Sequence, residues 1–311
     1  MIEEGILVGV FRKLRTGAKL RKMAQHIFST PAPSADVRMP YGDGPFHFGD
    51  LRLPRTSEAG PHPVVVVIHG GFWRARYDLE HIGHACAALT SQGVATWNIE
   101  YRRTGNEGGG WPGTFHDVGA AVDHLRVLAP EHNLDLERVV VIGHSAGGHL
   151  ALWAAGRHRI PEGDPLYSPD PLPVKAAVAL AGVIDLNMSS EMKLSNGATE
   201  EFMGGAPQEM PERYAAASPR EMLPLGVPHA LIHGTDDENV PYEIGEKYHA
   251  AALAAGDQVK LVPLPHAGHF EVIDPKMPEW KWVVEMVMGY MTKDDGRRTM
   301  DDGRRTTDDR R

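Results

Sequence analysis

The sequence predicts an α/β domain with a mostly parallel central sheet flanked by helices, and three observations predict it. Short β-branched runs recur along the chain, helical patterns separate them, and loops rich in glycine and histidine follow the runs. A strand buried on both faces reads as an uninterrupted apolar run, and a sheet of such strands needs helices on both sides.

Val64–Ile68 is the first such run. Val94–Ile99, Val139–Ile142, Val174–Leu180, His229–Ile232 and Val259–Leu264 repeat it. The helical patterns between and after them are Leu79–Ser91, Phe115–Leu128, Gly148–Ala155, Tyr242–Ala255 and Glu279–Tyr290. Thr114 with Asp117 three residues later predicts a capped helix start, and Ser218 with Pro219 and Glu221 predicts another. From Asp185 to Ser218 a stretch rich in Met, Ser and Gly breaks the alternation, so a small helical insertion or cap is expected there.

The ends differ from the middle. Residues 1–34 form a basic segment in which Leu7, Val10, Phe11 and Leu14 fall at helical spacing, opposite Arg12, Arg15, Lys19 and Lys22. Residues 29–45, with Pro31, Pro33, Pro40 and Pro45, read as a linker. The domain itself is expected over residues 35–292, and the tail 293–311, with its DDGRRT-like repeats, is expected to be disordered because it has almost nothing to bury.

Composition narrows the function. The chain has 311 residues, 42% of them hydrophobic, enough to bury one large core. A net charge of -9 argues against nucleic-acid binding, which depends on Lys and Arg neutralising phosphates, and favours a small-molecule partner. The lone cysteine, Cys86, excludes an intrachain disulfide and a Cys-rich metal site. The apolar run Ile6–Phe11 is short for a signal-peptide core and precedes the basic cluster, so a cytoplasmic protein without stable membrane insertion is expected. The basic segment leaves room for a weak contact with an anionic surface, and homo-oligomerisation stays open.

The chemistry is carried by loops. Gly143–Gly147 reads GHSAG, directly after one strand and directly before a helical pattern. This is G-x-S-x-G in its strand-turn-helix setting, with Ser145 lifted out of the sheet and glycines letting strand and helix approach. A hydroxyl needs a base held by a third group. After the strand ending at Ile232 comes HGTDDENVP (233–241), and after the one ending at Leu264 comes PHAGHF (265–270). By residue type Asp185, Asp236 and Asp237 all qualify as the acid, and His266 and His269 as the base.

Taken together, HGGFW (69–73), GHSAGGH (143–149), HGTDDENVP and AGHF (267–270) resemble the serine-dependent α/β-hydrolase superfamily. Within it they are similar to the esterase branch holding arylformamidases (kynurenine formamidases), feruloyl-esterase-like enzymes and the hormone-sensitive-lipase group. The resemblance covers roughly residues 45–292 and implies the α/β-hydrolase fold. It selects Asp237, two residues after Thr235, as the acid and His269 as the base, leaving Asp236 to the turn, Asp185 to a cap and His266 to the loop. It also implies an oxyanion hole formed by the N–H groups of Gly71, Phe72 and Ala146, with His69 bracing the loop. Two departures are visible: Phe72 stands at the third glycine of HGGG, and His144 replaces an Asp common in the lipase group.

The activity implied is hydrolysis of a small carboxylic ester through an acyl-enzyme, without cofactor. An N-formyl or aryl amide is the alternative substrate, and a non-catalytic ligand receptor on the same scaffold the remote alternative. Trp73, Trp111, His144 and Phe270, on or beside the site loops, are the expected substrate wall. The pairs His81/His84 and His144/His149 lack the carboxylates of a metal site, so no metal is expected. Arg102 and Arg103 are read as structural ion-pair residues, and GGGWP (108–112) as a turn.

Overall fold

A computed structural model describes residues 27–55 and 60–292. The basic helix expected before Lys22 and the DDGRRT-like tail lie outside the described residues. Eight strands form one sheet: β1 (Val37–Pro40), β2 (Phe48–Arg52), β3 (His62–Ile68), β4 (Ala95–Ile99), β5 (Leu134–His144), β6 (Ala176–Leu180), β7 (His229–Gly234) and β8 (Val259–Leu264), in the order β1-β2-β4-β3-β5-β6-β7-β8. From β4 through β8 the pairing is parallel, and β1 and β2 add an antiparallel edge. All six strands expected from the sequence are present.

Alternation along β3 explains the two layers. Val64, Val66 and Ile68 pack into the core on one face; Val65 and Val67 pack into the core on the other. The first face is covered by α2 (Gly113–Asp123), α3 (Leu125–His132), α4 (Ala146–Gly156) and α8 (Tyr242–Ala254). The second is covered by α1 (Gly83–Thr90) and α9 (Trp280–Met291). The insertion folds as α5 (Leu186–Glu191), α6 (Ala198–Met203) and α7 (Pro211–Ala217), and Phe202, Met203 and Tyr214 join the first core.

Four expectations are corrected. Residues 37–40 are not linker but edge strand β1, tied to β2 by the Arg38–Asp50 ion pair at 2.7 Å. The helix expected over 115–128 breaks at His124, giving α2 and α3. Thr114 does not cap: it is buried inside α2, donating to Arg102 O and accepting from Gly110 N, while Asp117 is held by Arg102. Ser218 ends a helix instead of starting one, because its Oγ accepts the Leu186 N–H across the insertion (3.1 Å).

Candidate active site

Every expected site loop leaves the sheet at the carboxyl end of a parallel strand: His69–Trp73 after β3, Ser145 after β5, Asp237 after β7 and His269 after β8. The elbow is tight for a steric reason. A Cβ on Gly143 would stand 2.0 Å from the Gly147 carbonyl oxygen, and one on Gly147 would stand 2.1 Å from the Ile68 carbonyl oxygen. Ser145 itself is held at φ 56°, ψ -117°, a conformation strained for a residue with a side chain. Its backbone is over-determined: its N–H donates to Leu180 O, and its carbonyl accepts from Gly148, His149 and Val183.

Asp237 and His269 meet. His269 Nδ1 donates to Asp237 Oδ2 at 2.7 Å, and Asp237 Oδ1 accepts from the N–H groups of Asn239 (2.8 Å) and Val240 (2.9 Å). Burial pushes this carboxyl upward, but the charge of His269 and hydrogen bonds from His233 and His269 outweigh it and hold the pKa well below the usual range. His269 stands against the residue before the serine: His144 Nε2 donates to His269 O at 2.9 Å, and the two rings lie 4.6 Å apart. Burial, with His269 beside it, pushes His144 well below the ordinary imidazole value, so its ring is neutral.

The other candidate acids and bases fall where expected. Asp236 pairs with His266 (3.5 Å) on the loop, and Asp185 caps α5 by accepting from Met188 N (2.9 Å).

Gly70 packs directly on the elbow, since a Cβ there would lie 2.7 Å from His144 O and 3.1 Å from Ser145 Cβ. The next three residues take positive φ: Gly71 at 113°, Phe72 at 50° and Trp73 at 55°. Among the described residues the N–H groups of Gly71, Phe72 and Ala146 have no acceptor within the chain. His69 braces the loop as expected: Nδ1 faces Gly70 O (2.8 Å), Nε2 faces Glu100 Oε1 (3.0 Å), and the ring stacks on Tyr101. Glu100 is the hub beneath, receiving also Leu79 N, Tyr101 N and Arg103.

Of the expected wall, Phe270 lies beside the pair, its ring 5.1 Å from His269 and 5.7 Å from His144. Trp111 is partly buried edge-on to Phe115. Trp73 is corrected: it is 0% exposed, stacked on Phe202 at 4.6 Å, and its indole N–H donates to His149 Nδ1 (3.2 Å). It fills the core between the domain and the insertion. His149 in turn donates through Nε2 to Ala217 O, so both nitrogens are engaged. Among the described residues no group of three or more His, Cys, Asp or Glu side chains is placed to hold a metal. Arg102 forms a two-pronged ion pair with Asp117.

Three residues escaped the sequence reading. His233 places Nε2 2.9 Å from Val240 O and 3.3 Å from Asp237 Oδ2, holding the acid loop closed; its position four residues before Asp237 was the available signal. Arg74 donates to Glu201 (3.0 Å) and to Ser195 O (2.9 Å), fastening the loop that begins at His69 to the insertion. Glu100, the residue after β4, gave no signal of its own.

The profile of the BD-FAE family matches residues 50–251, and this span holds strands β3 to β7, the elbow at Ser145 and Asp237. The chain belongs to the BD-FAE family. This BD-FAE member is 28% identical over 250 residues to Esterase LipC of Mycobacterium tuberculosis, covering 76% of this chain and 60% of that one. It is 27% identical over 272 residues to the probable isoprenylcysteine alpha-carbonyl methylesterase ICME of Oryza sativa subsp. japonica, covering 82% and 63%. The chain thus spans about 60% of the length of these curated relatives. A truncated carbohydrate esterase from gut microbiota shares the fold with a TM-score of 0.72 at 22% identity, over 85% of this chain and all of that one. No helix among the described residues is long and apolar enough to cross a membrane.

Proposed function

We propose that this BD-FAE member is a serine hydrolase that cleaves a small carboxylic ester through an acyl-enzyme. The observation that carries the reading is a serine on a strained elbow at the same sheet rim as an imidazole held to a buried carboxylate at 2.7 Å. Its relatives' names, both esterases, support the ester over other acyl groups.

In this mechanism His269 Nε2 takes the Ser145 proton as Oγ bonds to the ester carbon, and the carbonyl electrons move onto oxygen. The N–H groups of Gly71, Phe72 and Ala146 hold that oxyanion, each worth ~10²–10³ in rate. As the tetrahedral centre collapses, the bond to the alcohol oxygen breaks and His269 gives that oxygen the proton. Water, deprotonated by the same imidazole, then releases the acid and restores Ser145. Asp237 keeps the imidazole in the tautomer with Nε2 free and stabilises its charged form. No cofactor enters.

A fluorophosphonate probe should label the wild-type protein stoichiometrically and leave Ser145→Ala unlabelled, with hydrolysis of p-nitrophenyl acetate lost in parallel. Full activity in Ser145→Ala would overturn the mechanism. Faster turnover of N-formylkynurenine than of simple acetate esters would move the substrate to the formamide.

A further inference from the structure

The serine-hydrolase reading leaves one neighbouring cavity without a role. It measures about 510 Å³ and is lined by the segment from Ile27 to Ala32, which includes Phe28, and by Arg76, Tyr77, Asp78, Glu80 and His81. That volume is in the range of small-molecule sites.

Two of its walls abut residues of the candidate site, one at Gly71 and one at Phe270. Tyr77 packs closely against the His69–Trp73 loop: a Cβ on Gly71 would lie 2.5 Å from Tyr77 Cβ and 2.6 Å from its ring. Phe28 lies edge-on to Phe270 at 6.0 Å, and Phe270 lies edge-on to His269 at 5.1 Å. Phe28 also meets Tyr77 at 5.6 Å and His81 at 5.0 Å, so three aromatic rings converge on the cavity. Phe28 remains 46% exposed, a large apolar surface at the mouth that a ring could cover.

Reaction geometry assigns the side. The imidazole that takes the serine proton must return it to the departing oxygen, so the alcohol portion of the ester lies towards His269. Phe270 and then Phe28 extend from that side. Charge adds a further restriction. Asp78 and Glu80 at the rim outweigh Arg76, whose guanidinium is spread over the Tyr77 ring at 4.8 Å. Burial, with His69 close by, pushes the His81 pKa down to about 3, so the floor carries no cation for an anionic group to meet at neutral pH.

We propose, resting on the serine-hydrolase reading, that this cavity is the leaving-group subsite and takes an uncharged alcohol bearing an aromatic ring. Offset or edge-on contact with Phe28 and Tyr77 supplies the recognition.

Two isomeric esters test this, because 2-phenylethyl acetate and ethyl phenylacetate carry the same ring on opposite sides of the carbonyl. With n-butyl acetate as reference, Phe28→Ala should lower the kcat/KM ratio for 2-phenylethyl over n-butyl acetate about tenfold, mainly through KM. Phe28→Tyr should restore most of it, and ethyl phenylacetate should respond less than twofold. A larger loss on ethyl phenylacetate, or an unchanged ratio, would overturn the assignment. Calorimetric binding of 2-phenylethanol to Ser145→Ala protein, weakened by adding Phe28→Ala, reads the cavity without turnover. Failure of fluorophosphonate labelling in the wild type would instead sink the serine reading, and the 2-phenylethanol measurement would still decide the cavity.

Discussion

Asp237→Asn separates the role of geometry from that of charge at the candidate site. Asp237 Oδ1 accepts two backbone N–H groups, at 2.8 and 2.9 Å, while Oδ2 faces His269 Nδ1 at 2.7 Å. In the variant those two donors select the amide oxygen, and the NH2 group is left facing His269. Nδ1 must then accept, the ring proton moves to Nε2, and Nε2 can no longer take a proton from Ser145. The reverse amide orientation would free Nε2 but would set NH2 against two backbone donors, forfeiting two hydrogen bonds to a neutral oxygen at about 0.5–1.5 kcal/mol each and leaving both donors unpaired. The wrong tautomer therefore dominates. We expect kcat for p-nitrophenyl acetate to fall on the order of 10³–10⁴, about 4–5.5 kcal/mol in the barrier, with KM changed little. Fluorophosphonate labelling should slow in proportion. A folded variant retaining more than a tenth of the wild-type kcat would refute the reasoning.

Further outcomes follow from the elbow and the core. Gly147→Ala places a methyl 2.1 Å from a backbone oxygen that no side-chain rotation can relieve, so the elbow must open by about 1 Å. Such a displacement costs about 10²-fold or more in kcat, measurable in the ester assay. Trp73→Leu removes the stack on Phe202 and the bond to His149, and should destabilise the fold by about 3 kcal/mol or more in urea unfolding. His149 is wholly buried, and burial, partly opposed by its bond to the Ala217 carbonyl, lowers its pKa from 6.5 to about 4. Between those values the unfolded chain takes up a proton that the folded chain refuses, so stability falls on acidification by up to about 3 kcal/mol. His149→Gln should flatten the dependence of unfolding free energy on pH between 6.5 and 4; an unchanged slope would exclude His149 as its source.

The parallel sheet was legible because the runs within β3 to β7 are buried on both faces and so read as apolar, and edge strand β8 keeps enough Val and Leu to be read the same way. β1 and β2 were not: VRMP hides among prolines, and FGDLR carries Asp50 and Arg52, whose burial depends on partners distant in sequence. Ser218 looked like a helix start because its sequence is that of a cap; only the fold supplies Leu186 N as the donor it serves instead. At the site, the loops holding Ser145, Asp237 and His269 could be picked out because each follows a recognisable strand; within those loops it is the family resemblance, not strand position, that separates Asp237 from Asp236 and His269 from His266. Trp73 reads as wall from the sequence although it is core, since Phe202, the ring that covers it, lies more than a hundred residues on in a segment with no strong pattern. His233 and Glu100 act through second partners, and pairings of that kind leave little periodic trace.

The fastening of Trp73 to Phe202 and of Arg74 to Glu201 makes the three-helix insertion an integral support of the loop that begins at His69. A chimaera that exchanged residues 186–217 for another protein's lid would uncover an indole and strand a guanidinium beside the reaction centre. Diversification by transplanting lids is therefore closed to this scaffold unless the donor brings a flat ring and an acid at the same two points. Changes of selectivity are easier to accommodate on the outward side of α5 and α7, which carries neither.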